Sequence, residues 1–401
     1  MLNVFFHEFK RLCLNKTVQA LSILSVLFTI LLVYVVIANT RYGSYESPAY
    51  RSGLDAVAHA RTVHAPSYGS VTAEKLESTL RTYQDIAEDY PEGEIPDALR
   101  EKTTAPLSPL LRLLSYTYET RDISVDAAAD FYRQREARIN ASIKEQYPGS
   151  PAVQNAAKNI NQRVETPFYY AYGYGDSDGP EFLVFLLFVL VFFCTVIAAP
   201  VFSEDYHSQA DDIQRCCRYG PQLGTARLMA VYVLVLLLVT VCTGIYLLSL
   251  NTVFGWEGLK ASLQTRYFTT AITPMTIGGV MGATVLSGIL TLLATVSCAM
   301  LVSSRCKVPV AAVSASVVIA LLPVFFSFLH IEESVLSSLL PSAGVVSSSG
   351  FYQTLTEKSL EFFNAGDLVL WRPCACLLFA AVEIPLFGGL AVWSYKRQKL
   401  Y

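Results

Sequence analysis

Charge is scarce in this sequence, and cysteine is missing where it would matter most. Only 16% of the 401 residues are Asp, Glu, Lys or Arg, and 53% are hydrophobic. A soluble globular chain usually carries about 25% charged residues, so a mean hydropathy of +0.39 excludes an ordinary soluble domain. None of the nine cysteines falls between Asn39 and Glu181, the longest polar segment. That segment has no disulfide framework and must fold by burial alone. The chain also lacks a phosphate loop of the Gly-x-x-x-x-Gly-Lys-Ser/Thr type and a His-x-x-x-His zinc motif. It has no basic run, so nucleic acid is not an expected partner. Cys216-Cys217 has no further Cys/His cluster at metal-ligand spacing beside it, and packing of small residues is preferred to a redox pair or a metal site.

What remains is a set of long apolar runs, each near the roughly 20 residues at 1.5 Å that a helix needs to cross a bilayer. The reading is an all-α membrane protein of six transmembrane helices, with a helical extracellular domain between helices 1 and 2. Its segments are a cytoplasmic amphipathic elbow helix (1–17), a first span (18–38), the extracellular domain (39–181) and a second span (182–201). A cytoplasmic coupling segment (202–227), a third span (228–250), an outer loop (251–274) and a fourth span (275–302) follow. The rest is an inner loop (303–307), a fifth span (308–329), an outer loop with short interfacial helices (330–373), a sixth span (374–394) and a cytoplasmic tail (395–401). The first run is too long for a secretory h-region of about 7 to 15 residues, although Val36-Ile37-Ala38 resembles a cleavage site.

Every loop assigned inside carries Lys or Arg, among them Lys10, Arg11, Lys16, Arg215, Arg218, Arg305, Lys307, Lys396 and Arg397. The two large outer segments are net acidic. Basic residues are retained on the cytoplasmic side, so both termini are expected there, in a multi-pass protein of the cell membrane.

In the polar segment, Leu76, Leu80, Tyr83, Ala87 and Tyr90 mark one helix face, with Thr72 as its cap and Glu74 in its first turn. Val153, Ala157, Ile160, Val164 and Phe168 suggest a second helix; Ala128, Phe131, Ile139 and Ile143 suggest a third. The Tyr169–Tyr174 run reads as an aromatic interfacial belt, and Trp256 and Tyr267 sit at interfacial height. Gly175-Asp176-Ser177-Asp178-Gly179 matches the string of a nucleophile elbow but lacks its strand and soluble helix; a flexible turn is expected. His59 and His64 are expected at the surface.

The polar island Pro200–Arg227 is the stretch around which the chain is organised. Its acids Glu204, Asp205, Asp211 and Asp212 suit the first turns of short helices, where the macrodipole is positive, and Tyr219-Gly220-Pro221 reads as a turn. Glu383 lies near the middle of the last span with Pro385 beyond it. A carboxylate there costs roughly 2.5–3.5 kcal/mol on insertion scales. It is either a pathway or gating residue or a neutral Glu bonded to backbone that Pro385 frees. Gly278 and Gly282 have the spacing of a close helix-packing seam, within the chain or across a dimer. Pro309, Pro323 and Pro385 are candidate kinks.

Three groups of residues resemble one known family. Glu8-Phe9-Lys10-Arg11 with Asn15-Lys16 resembles its membrane-entry elbow helix. Phe202-Ser203-Glu204-Asp205-Tyr206, Arg218-Tyr219-Gly220 and Arg227-Leu228-Met229-Ala230 resemble its coupling segment. Asp130-Phe131-Tyr132 with Arg135, and Pro167-Phe168-Tyr169-Tyr170, resemble ectodomain elements of Gram-positive members. The family is that of permease subunits of type-2 (ABC-2) exporters. Gln209-Ala210, Cys216-Cys217 and Pro221 depart from its usual pattern.

The resemblance implies a non-catalytic permease that exports a peptide, antibiotic or lipid-like substrate. An ABC ATPase subunit would hold ATP and Mg, this chain would bind no cofactor, and a second permease subunit would complete a homo- or heterodimer in the bilayer. Coupling to the ATPase would run through Glu204, Asp205, Tyr206, Ile213, Arg215, Arg218, Tyr219 and Gly220. Rival readings are a membrane sensor or immunity protein whose ectodomain binds a ligand, and an ion-coupled secondary transporter using Glu383. The second would be supported by internal repeats, and none is visible. An intramembrane enzyme lacks a polar constellation in the spans.

Overall fold

A computed structural model describes residues 2–43, 50–90, 95–118, 123–208, 220–329, 335–346, 350–365 and 368–397. Among these described residues six helices are long and apolar enough to cross a membrane: Lys16–Asn39, Gly179–Ser208, Gln222–Phe254, Ile277–Ser303, Pro309–Phe328 and Arg372–Arg397. The second is interrupted at Ala199, before Pro200, giving helices Gly179–Ala198 and Pro200–Ser208. Burial separates centre from periphery. In the second and fourth spans 56% of the most apolar window is buried within the chain, against 22% in the first and fifth. Ile23, Leu27 and Leu31 on the first span, and Val310, Val318 and Phe325 on the fifth, present apolar faces outward.

Local chemistry explains where these helices start. Asn15 caps the first span by accepting from the amides of Thr17 and Val18, and Thr276 caps the fourth through the amide of Gly279. Pro309 occupies the first position of the fifth span, where its missing N–H costs nothing. It therefore opens that helix and does not kink it, whereas Pro323 and Pro385 lie inside theirs. Gly220 and Pro221 also begin a helix, the 35-residue Gly220–Phe254, and do not make the expected turn.

The segment between the first two spans is mainly helical. Its helix Ala73–Asp89 is capped by Thr72 as the sequence predicts, and helices Phe131–Gln146 and Pro151–Asn161 follow. The chain is nevertheless not purely α, since the described residues include three two-stranded antiparallel pairs. In one, Val71 pairs with Phe168 and Gly69 with Tyr170. Phe168 thus belongs to a strand and not to the helix expected from Val153 onward. The Tyr132 hydroxyl fixes this pair, donating to the Val71 carbonyl and accepting from the Phe168 amide. Val71, Leu76, Leu80, Leu113, Phe131 and Phe168 form the core beneath it.

The three segments that follow odd-numbered spans fold together into one cap. A second core joins Ile139, Ile143 and Val153 of the first segment to Ile272 from between the third and fourth spans and Phe362 from between the fifth and sixth. Arg135, only 4% exposed, donates to the carbonyls of Thr269 and Ala271 and to Asn161. The Phe362 amide donates to the Tyr147 hydroxyl. Between the fifth and sixth spans lie the short helices Val335–Ser338, Ala343–Val346 and Phe351–Leu355, followed by an antiparallel hairpin, Phe362–Ala365 with Leu368–Trp371. Irregular backbone at membrane depth needs partners from protein. Here Thr295 donates to the Pro341 carbonyl, and Ser342 to that of Ala320.

Several surface expectations are corrected by this cap. Tyr170, Tyr172 and Tyr174 are buried, the first in the core of the cap and the other two against the bundle, and are not exposed as a belt. Tyr267 is bonded to Tyr352, whose hydroxyl also donates to Glu181. The Gly175–Gly179 stretch is a hydrogen-bonded turn at the start of the second span: Ser177 donates to the Tyr174 carbonyl and accepts from the Gly179 amide. His59 pairs with Glu101. His64 is half-buried against Tyr42 and Tyr172, and burial, with nearby Arg112, pushes its pKa down to about 4.

That depression has a sign. Above pH 6.5 the imidazole is neutral whether the chain is folded or not; below it the unfolded chain takes the proton first. Stability from this group is therefore present above about pH 6.5 and lost as pH falls towards about 4. In thermal unfolding across that window, His64→Gln should show a shallower loss than wild type, a difference on the order of 1–3 kcal/mol.

Candidate functional site

At the end of the bundle opposite the cap, helix Leu2–Leu14 lies against the start of the third span. Its hydrophobic positions alternate with charge, and the side that is buried carries Leu12 and, unusually, Glu8. The reason is Arg227, which is completely buried about two turns into helix Gly220–Phe254. Its Nε donates to Glu8 Oε2 at 3.1 Å, and its Nη1 donates to Asp205 Oδ2. Arg11 closes the ring from the exposed side, 3.0 Å from Glu8 and 3.3 Å from Asp205. Two cations thus face two carboxylates, each carboxylate shared by both arginines. Burying such charges is tolerable only with this degree of pairing.

Aromatic and hydroxyl groups extend the cluster to the remaining spans. The Arg227 guanidinium sits 5.8 Å over the Tyr395 ring of the sixth span, on which Phe202 and Tyr206 also stack. Gly224 leaves the room for that ring, since a Cβ there would lie 3.0 Å from it. Ser303, at the end of the fourth span, accepts from the amides of Phe202 and Ser203 at 3.1 Å each. Helix Pro200–Ser208 is therefore fastened to the entry helix and to the third, fourth and sixth spans.

The sequence-predicted residues divide accordingly. Glu204 is exposed and Asp205 buried, on successive positions of one nine-residue helix. Neither lies in a first turn, so the macrodipole does not place them; Asp205 is held by arginines instead. Tyr206 is half-buried on Tyr395, and Gly220 begins the third-span helix. Ile213, Arg215, Arg218 and Tyr219, with Asp211, Asp212 and Cys216-Cys217, lie outside the described residues. Beside the cluster, a groove of ≈ 680 Å³ between the entry helix, the end of the second span and Pro309 carries Glu204 and Ser208 on its wall.

The chain matches the family model described as ABC-2 family transporter protein over residues 16–382. It belongs to that family. No curated protein and no solved structure matches it. The chain is thus an ABC-2 permease, a non-catalytic transmembrane component of a transporter, and family membership implies an ATPase partner.

Within the spans of this ABC-2 permease, Glu383 is buried and Pro385 faces outward. Among the described residues the Glu383 carboxyl has no hydrogen bond, so backbone freed by Pro385 does not hold it. It lies near Cys298, close to a polar contact between the third and fourth spans, where the Tyr232 hydroxyl meets Ser297 at 2.5 Å. Gly388 admits that tyrosine, since a Cβ would stand 2.7 Å from its hydroxyl. Gly278 packs against the Leu259 carbonyl, but Gly282 has nothing within 4 Å. Gly288 is where the second and fourth spans approach closely, since a Cβ there would meet Leu187 at 2.7 Å.

Glu8 and Arg227 are a buried ion pair that spacing could not reveal. The available signal was compositional: one acid on the apolar side of an amphipathic helix, and one arginine just inside an apolar run.

Proposed function

We propose that this permease is the membrane half of an exporter driven by a separate ATPase, with its termini in the cytoplasm. The ATPase is proposed to dock on helix Pro200–Ser208 and the segment after it, including Ile213, Arg215, Arg218 and Tyr219. A second permease subunit would complete the translocation path, with Glu383 on its polar wall. The basic residues Lys10, Lys16, Arg305, Lys307, Lys396 and Arg397 support this orientation, because they gather at the end that positive charge keeps cytoplasmic.

The observation that carries the reading is the fastening of helix Pro200–Ser208. A push on it is transmitted through Asp205 to Arg227 and Glu8, and through Ser303 to the fourth span. Energetic coupling needs such contiguous contacts between two-state elements. Exposed Glu204 offers a charge to a partner, while buried Asp205 transmits force inward.

Glu204→Arg, in permease co-expressed with its ATPase, should leave insertion and thermal stability unchanged. It should weaken ATPase co-purification by about tenfold, equivalent to ~1.4 kcal/mol, and lower permease-stimulated ATP hydrolysis in step. Unchanged co-purification and hydrolysis would remove Glu204 from the docking surface. Labelling of a cysteine introduced at position 204 in intact cells would overturn the orientation itself.

A further inference from the structure

Where the first span emerges into the cap there is a cavity of ≈ 260 Å³, at the end of the bundle opposite helix Pro200–Ser208. Its wall includes Tyr42 beyond the first span, His64 ending helix Gly53–His64, and Arg112 of helix Ser108–Tyr118. Tyr170 and Tyr172 and the buried carboxyl of Asp176, in the turn entering the second span, complete it.

Three polar atoms on this wall are buried and have no hydrogen-bond partner among the described residues: His64 Nδ1, Arg112 Nε and the Tyr170 hydroxyl. Tyr170 is only 2% exposed. Buried polar groups are nearly always paired, and an orphaned one is costly. Three converging on one cavity give an occupant hydrogen-bonding groups to satisfy.

We propose that this cavity binds a carboxylate on a small organic body, held between Arg112 Nε and the Tyr170 hydroxyl, with His64 Nδ1 alongside. The guanidinium is already positioned for this: its Nη2 donates to the Thr265 carbonyl at 3.4 Å and stands 3.7 Å from Asp176. The Nε edge is left over. One N–H and one O–H match the two oxygens of a carboxylate, and charge assistance from the arginine strengthens the contact. Asp176 offsets part of the positive charge, which disfavours a phosphate dianion. With its pKa near 4, His64 is neutral at pH 7 and adds a hydrogen-bonding nitrogen without a further charge.

The rings of Tyr42, Tyr172 and His64, the last two 5.5 Å apart, give the body of the ligand an aromatic wall. The volume fits a small aryl acid or the last residue of a peptide, and both present the same group. Asp176 also accepts from the Gly173 amide at 3.0 Å. An occupant would therefore bear on the turn that starts the second span as well as on the exit from the first.

The test uses full-length permease in lipid nanodiscs and needs no ATPase, so its outcome is separate from that of the coupling reading. Thermal unfolding is followed with benzoate against benzamide, and with Gly-Gly-Phe bearing a free or an amidated C-terminus. The expected result is a rise in Tm with at least one free acid and none with its amide; which acid acts identifies the source. Tyr170→Phe should weaken that binding about tenfold while leaving the ligand-free Tm unchanged or higher, because it removes an unpaired hydroxyl. Arg112→Gln should abolish it. The proposal is overturned if no acid shifts Tm, if acid and amide act alike, or if Tyr170→Phe leaves binding unchanged. A fall in the ligand-free Tm of Tyr170→Phe would likewise overturn it, showing that ordered water satisfies the hydroxyl.

Discussion

Arg227→Gln is expected to destabilise the permease by about 3–5 kcal/mol, the range for removing one partner of a buried ion pair. The loss comes less from the missing attraction than from Glu8 and Asp205, which stay buried with half their partners gone. Arg11 reaches both carboxylates but sits at the rim, its side chain 41% exposed, where water screens it. Rescue by Arg11 should therefore be partial. Arg227→Lys should fall between, because one ammonium cannot reproduce a fork that reaches Glu8 through Nε and Asp205 through Nη1.

Stability and coupling can be separated at the same site. The triple substitution Glu8→Gln, Asp205→Asn, Arg227→Met removes every charge that Arg227 brings together and keeps the volumes similar. Buried ion clusters replaced in this way often regain or exceed their original stability. The triple variant should recover most of the thermal stability that Arg227→Gln loses, measured by unfolding in nanodiscs. If the ion pairs transmit force from helix Pro200–Ser208, ATP-driven transport should nevertheless stay low. Full transport by the triple variant would show that packing of Phe202 and Tyr206 on Tyr395 carries the force without the charges.

The sequence showed those features whose physical cause is local. Six spans were legible because each is a near-continuous apolar run, and the Thr72 cap because the cap and its helix are neighbours. What was not legible depends on residues far apart in the chain. Arg227 and Glu8 are 219 positions apart, and Arg135 meets the Thr269 carbonyl across 134. Neither pairing leaves a periodic trace. The tyrosines from Tyr169 to Tyr174 were misjudged for the same reason: next to a span they look like a lipid interface, but segments from later in the chain cover them. Glu204 and Asp205 look equivalent as adjacent acids. Only the helix that carries them decides that one points to solvent and the other to Arg227.

A second large effect is expected where two backbones touch. Gly173 precedes the turn Tyr174–Asp176 that leads to the second span, and Gly258 lies in the short helix Trp256–Lys260 between the third and fourth. A Cβ on Gly173 would stand 2.6 Å from the Gly258 Cα, and one on Gly258 would stand 2.5 Å from the Gly173 Cα. No rotamer change relieves a collision with main chain, so Gly173→Ala or Gly258→Ala must separate the segments. Each should cost at least the roughly 1–3 kcal/mol of an overpacked core. The control is Gly244→Ala in the third span, with nothing within 4 Å of its Cβ. It should be neutral or stabilising by about 0.5–1 kcal/mol, as expected for replacing glycine inside a helix. The two harmful substitutions act on one contact, so their effects should not add: once either alanine has forced the backbones apart, the other meets an opened gap. A double variant no less stable than the worse single variant, by thermal unfolding, would establish that both substitutions act on this one crossing. Additive losses would mean that each glycine is required for a separate reason.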